Sequence, residues 1–92
     1  MTFVSINPAT SESLLTIEDW TSEQLDTALQ AVANASTKWR DTPLKTRCDL
    51  MLGLAATLRQ QKQSLAKLIS LEMGKLLTES QAEIEKCAGA CE

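Results

Sequence analysis

Between Leu71 and Ser80 the sequence reads LEMGKLLTES, and this stretch limits the possible folds more than any other. A helical apolar repeat runs up to Gly74, a residue suited to the left-handed position just past a helix end. A second repeat follows almost at once, beginning between Leu76 and Glu79. Thr78 and Gln81 stand three residues apart, the spacing of a capping box at a helix start. The stretch therefore reads as a hinge between two short helices.

The residues upstream carry the same helical period. Thr21 and Gln24 form another capping-box pair. Leu25, Ala28, Leu29, Val32, Ala35, Ser36 and Trp39 then recur at three- and four-residue steps. Asp41-Thr42-Pro43 closes that helix, because the residue before proline is driven out of the α region. Pro43 is expected as first residue of the next helix, with Thr42 as its N-cap. That helix carries Leu44, Cys48, Met51, Leu52, Ala55 and Leu58, and its stripe fades in the polar run Arg59 to Gln63. A third, shorter stripe holds Leu65, Leu68, Ile69 and Met73. The fourth holds Leu77, Ile84, Cys87, Ala88 and Cys91, with no stop signal after it. Glu92 stands where the helix dipole prefers cations, and the helix is expected to continue in a longer protein.

Residues 3 to 17 alternate loosely around Asn7-Pro8-Ala9-Thr10-Ser11-Glu12, which is strong turn chemistry. A β-hairpin or extended arm is expected, and an isolated hairpin needs a surface to lie on. The fold class is therefore mainly α: a hairpin arm over residues 1–20, then about four amphipathic helices over 21–92, together one partial domain.

Composition explains why this domain is weakly self-sufficient. Ninety-two residues leave little margin for a deep core. The 43% hydrophobic content is mostly Ala and Leu, with two Trp, one Phe and no Tyr. The net charge is −3, and basic residues are scattered from Lys38 to Lys86 without a cluster, which argues against nucleic acid as a partner. No apolar stretch approaches the roughly 20 residues of a membrane span, and MTFVSINPAT lacks the features of a signal peptide. Three cysteines without framework spacing suit a reducing compartment, so a cytoplasmic location is expected.

Few residues suggest chemistry of their own. The chain has no histidine, so neither a Ser-His-Asp nor a Cys-His site is available within it. Cys48, Cys87 and Cys91 fall short of a tetrahedral zinc site without a further ligand. Cys87 and Cys91, one turn apart, read as small apolar residues on a buried stripe rather than as a chelate or redox pair. Among Glu72, Glu79, Glu83 and Glu85, Glu79 and Glu83 share a helix face and Lys86 follows Glu83 by three, the pattern of a solvated face with ion pairs. Gly74-Lys75 lacks the second glycine and the following Ser/Thr of a phosphate loop. Trp20 and Trp39 read as packing anchors. No catalytic, cofactor-binding or metal-binding residue is assigned, and no metal is expected.

Several segments recur together in one known family. Ile6-Asn7-Pro8-Ala9-Thr10-Ser11-Glu12 matches an "NPATGE" hairpin, with Ser11 where glycine is usual. Trp39-Arg40 ends a helix, and Arg47 follows in the next. Glu72-Met73-Gly74-Lys75-Leu76-Leu77 matches "EMGKPL" with Leu76 for proline, Glu79 and Glu83 continue an "E…E" pattern, and Lys86-Cys87-Ala88 opens a last helix. In this order and at these spacings the chain resembles the N-terminal region of the aldehyde dehydrogenase superfamily, most of all its succinate-semialdehyde dehydrogenase branch.

The resemblance implies oxidation of an aldehyde to an acid with NAD or NADP. In that chemistry a cysteine thiolate attacks the aldehyde, hydride passes to the nicotinamide, and a glutamate-activated water releases the acid. In the family the nucleophile, the base, the oxyanion-hole asparagine and the dinucleotide-binding βαβ region lie downstream of the position of Glu92. None of Cys48, Cys87 or Cys91 matches the nucleophile's motif. The resemblance thus implies an N-terminal fragment of the cofactor-binding domain (parent fold α/β), inactive alone and binding no cofactor by itself. Its partners are then the remainder of the enzyme and, for the parent, further copies in a homo-oligomer. The alternatives are a free-standing helical interaction module and a cysteine-based metal or redox protein.

Overall fold

Thr21 starts the first helix through a reciprocal cap. Its Oγ1 accepts the Gln24 backbone N–H at 3.2 Å, and the Gln24 side-chain oxygen accepts the Thr21 N–H at 2.8 Å. The computed structural model describes residues 1–92. A hairpin of β1 (Thr2–Ile6) and β2 (Ser13–Glu18) precedes four helices: α1 (Ser22–Asp41), α2 (Leu44–Gln60), α3 (Lys62–Met73) and α4 (Leu77–Ala90). The mainly helical class and the N-terminal hairpin expected from sequence are both present.

The hairpin strands run antiparallel, with Phe3 opposite Ile17, Val4 opposite Thr16 and Ser5 opposite Leu15. The register then shifts, so that Ile6 faces Ser13. Asn7 organises the turn and is buried. Its side-chain oxygen accepts the Ala9 N–H at 2.9 Å, its carbonyl accepts the Ser11 N–H at 2.8 Å, and its own N–H donates to the Glu12 carbonyl. Ser11 completes the turn at φ 64°, the one non-glycine residue in the left-handed region. An L side chain is disfavoured there, and glycine is the residue that the position suits.

Gly74 ends α3 at φ 68°, donating its N–H to the Ser70 carbonyl. A Cβ on this glycine would stand 3.1 Å from Pro8 Cγ, so the hairpin turn rests against the α3–α4 break. Ser5 Oγ adds a hydrogen bond to Glu72 Oε1 at 2.7 Å.

Two caps differ from the sequence expectation. Thr42 closes α1 rather than opening α2: its hydroxyl donates to the Lys38 carbonyl at 2.7 Å and its N–H to the Trp39 carbonyl. Carbonyls left free at the end of α1 lie within reach of this side chain, and Pro43 holds it extended. Pro43 is itself extended (ψ 143°), so it flanks α2 instead of being its first residue. Thr78 makes no cap, because α4 begins at Leu77, with Leu76 as the extended flanking residue.

The core lies where α4 crosses α2 and α3. Only six residues are buried: Asn7, Ala55, Ala66, Ser80, Ile84 and Ala88. Four of the five in the helices are small, which lets the backbones approach closely, and Leu58, Leu65 and Ile69 half-cover the rim. Ser80 is fully enclosed, and its hydroxyl meets that of Ser70 at 2.9 Å. Its burial was not read from the sequence, although Ser80, Ile84 and Ala88 share one line at four-residue steps. By contrast α1 buries no residue at all.

Two substitutions test the turn geometry. Gly74→Ala lowers the free energy of unfolding by about 1–2 kcal/mol, since alanine is disfavoured at positive φ and its methyl meets Pro8. Ser11→Gly raises it by about 0.5–1 kcal/mol, the strain relieved outweighing the added freedom of the unfolded chain. Urea unfolding of both variants measures the two changes.

Candidate interface

Trp39 at the end of α1, Leu44, Cys48, Met51 and Leu52 on the first turns of α2, and Cys91 beyond α4 line an open groove of about 420 Å³. The α2 residues come from the stripe read in the sequence, at three- and four-residue steps. Farther along that stripe Ala55 is buried by α4, but here nothing covers it. Arg47 lies on the same face, and its Nε is buried without a hydrogen-bond partner. A buried N–H left unpaired costs free energy that a matching acceptor would recover.

The α1 stripe is more open still. Val32 is 66% exposed and Leu29 58%. Trp20 and Trp39, expected to anchor packing, remain 64% and 47% exposed. Trp20 precedes α1 and Trp39 lies in its last turn, and α1 lies against no other element over any appreciable area.

The shape accounts for this exposure. The molecule is a flat plate measuring 47 × 36 × 14 Å. Stable domains pack their elements around a shared core, and α1 shares none with the other helices. The radius of gyration is 17.3 Å, against about 12 Å for a compact domain of this length. The accessible surface is 7307 Å², roughly 2,000 Å² more than a compact monomer of this mass exposes.

Charged residues tie the helices together on the surface. Glu85 of α4 accepts from Lys62 Nζ at 2.9 Å and from Arg59 Nε at 3.1 Å, and Arg59 also pairs with Glu92. Lys62 first, then Arg59, hold the Glu85 carboxyl below its usual range; Arg59 does the same for Glu92. In return Glu92 and Glu85 raise the Arg59 guanidinium. Glu83 pairs with Lys75 at 2.8 Å, not chiefly with Lys86 as helical spacing suggested. The turn at Gly74 swings Lys75 alongside α4, where it depresses the Glu83 carboxyl and is itself raised. Pairs as exposed as these add little individually.

The remaining residues weighed for chemistry are dispersed. Cys48 and Cys87 are exposed and Cys91 is half-buried, so the expected burial of Cys87 on the α4 stripe is not observed. It lies beside the line through Ser80, Ile84 and Ala88. No group of three or more His, Cys, Asp or Glu residues is placed to hold a metal ion. The two strands form an antiparallel hairpin. No helix is long and apolar enough to cross a membrane.

Comparison with known proteins gives one consistent result. The sequence model of the aldehyde dehydrogenase family matches residues 1–92. The succinate semialdehyde dehydrogenase [NAD(P)+] Sad of Escherichia coli (strain K12) is 33% identical over 89 residues, covering 97% of this chain and 19% of that protein. A malonate-semialdehyde dehydrogenase of Listeria monocytogenes serovar 1/2a is 37% identical over 81 residues, 88% of this chain and 17% of that one. Among solved structures, a 3,6-anhydro-L-galactose dehydrogenase in complex with NAP superposes with a TM-score of 0.88 at 28% identity, over 99% of this chain and 20% of that one. The chain spans less than a fifth of the length of these curated relatives.

The ion pairs set a pH dependence. Glu83, Glu85 and Glu92 bind protons less readily when folded than when unfolded, so their contribution is complete above the ordinary glutamate value of about 4.3. It is lost as pH falls through their lowered values. The melting midpoint should therefore drop on acidification through the carboxylate range, and less steeply for Glu85→Gln. Thermal melts at low salt across that range measure both, and added salt should shrink the difference.

Proposed function

The chain belongs to the aldehyde dehydrogenase family, and on that premise we propose that residues 1–92 are the N-terminal part of an enzyme that oxidises succinate semialdehyde to the dicarboxylic acid with NAD or NADP. The observation that carries this reading is a match along the whole chain to proteins about five times longer. The bare apolar stripes support it: the rest of the enzyme would cover the faces that α1 and α2 leave exposed. The relatives named for succinate and malonate semialdehydes support a substrate bearing a carboxylate beside the aldehyde.

In this reading the chain's own residues do structural work. The helices form an outer layer of the cofactor domain, and the hairpin packs on the remainder of the protein. The nicotinamide dinucleotide, the two-electron oxidant, is held by residues outside this stretch, as are the nucleophilic cysteine and the base. None of Cys48, Cys87 or Cys91 takes part in the reaction. The parent works in the cytoplasm as a homo-oligomer.

Three measurements test the proposal. Calorimetric titration of the 92-residue chain with NAD⁺ or NADP⁺ is expected to show no binding, and a micromolar site would overturn that part. The coding region past the Glu92 codon is expected to continue into a dinucleotide-binding unit. A stop codon there, with a cooperative and concentration-dependent melt, would instead support a free-standing helical module. The purified parent should reduce NAD(P)⁺ with a higher kcat/KM for succinate semialdehyde than for malonate semialdehyde or an uncharged aldehyde; the reverse order would overturn the substrate.

A further inference from the structure

Cys87 is exposed, which removes the packing reason for a thiol at that position. The buried line of α4 runs through Ser80, Ile84 and Ala88, and Cys87 stands beside it. Cys91, one turn further on, is half-buried and also free. Its backbone keeps right-handed helical dihedrals (φ −81°, ψ −15°), so the two cysteines keep i, i+4 geometry. Side chains so spaced share one helix face, with Cβ atoms about 5–6 Å apart. Two metal–thiolate bonds of roughly 2.3 Å, laid end to end, span a gap of that order. The carboxylates of this helix are engaged elsewhere: Glu83 by Lys75, Glu85 by Lys62 and Arg59, and Glu92 by Arg59. No third His, Cys, Asp or Glu joins the two thiols, so zinc would lack the four ligands of its structural sites. A soft, filled-shell monovalent ion is satisfied by two thiolates, and thiolate ligands favour Cu(I) over harder ions.

We infer that Cys87 and Cys91 form a two-thiolate site for a soft monovalent cation, Cu(I), on one face of α4. Binding releases both thiol protons to solvent, since the thiolate is the ligand, and leaves a copper(I) bis-thiolate with one negative charge. No electron is transferred. The inference is independent of the enzyme reading, and it departs from the sequence expectation that the chain holds no metal.

The test titrates the reduced 92-residue chain, without oxygen, with Cu(I) as its acetonitrile complex in competition with bicinchoninate. One equivalent should bind, with two sulfur neighbours by X-ray absorption. No uptake, or three sulfur neighbours, would overturn the inference. Cys87→Ser and Cys91→Ser should each weaken binding at least about a hundredfold, as the loss of one of two soft ligands implies, while Cys48→Ser should change it less than about threefold. Unchanged affinity in either α4 variant, or an equal loss in Cys48→Ser, would overturn it. A disordered chain with three thiols also takes up Cu(I), so one further variant separates the helix from the thiol count. Cys87→Ser combined with Gly89→Cys restores three thiols but sets two of them at i, i+2, which do not face each other on a helix. Gly89 has room for the change, with nothing packed within 4 Å of an added Cβ. Affinity should stay as low as in Cys87→Ser alone; recovery of the original value means that any pair of thiols suffices, and the inference fails.

Discussion

At Gly74 the backbone turns through φ 68°, and three parts of the molecule depend on that turn. It ends α3 and lets α4 fold back across α3 and α2. It leaves the space that Pro8 occupies, so the hairpin has a surface to rest on. It also carries Lys75 to the side of α4, where it meets Glu83. A residue with a Cβ would meet both an unfavourable φ and the proline ring. One glycine thus joins the arm, the helical layer and part of the surface charge.

Helix contact beyond that turn is close but narrow. Ala55, Ala66, Ser80 and Ala88 allow near approach of the backbones, yet small side chains remove little apolar surface from water. Such a contact sets geometry more than it supplies stability. The larger apolar groups (Trp20, Leu29, Val32, Trp39, Leu44 and Leu52) stand outside it. This inverts the usual distribution of a globular domain, in which the largest apolar side chains are the most enclosed. It fits the proposed place of this stretch within a longer enzyme.

Much of the local structure was legible in the sequence. Thr21 and Gln24 made the reciprocal cap, Gly74 took the left-handed position, and Asn7-Pro8 formed a hairpin turn, because each depends on atoms a few residues apart. Thr42 and Thr78 were misread at the same scale. A hydroxyl near a helix junction has orphan carbonyls behind it and orphan amides ahead, and spacing alone does not say which it meets. The groove was not legible, since Trp39, Arg47 and Cys91 become neighbours only after three helices have packed.

The sequence by itself determined the elements: helical periods, the stops at Pro43 and Gly74, the hairpin turn, and family membership through motifs in order. These follow from short-range sterics and hydrogen bonding, which act within a few residues. Tertiary structure alone decided which stripes are covered. The periodicity of α1 is as clear as that of α4, yet α4 buries the line Ser80, Ile84 and Ala88 against its neighbours and α1 buries nothing. An amphipathic pattern records that a face needs a partner, while only the packing of distant segments shows whether these 92 residues contain it.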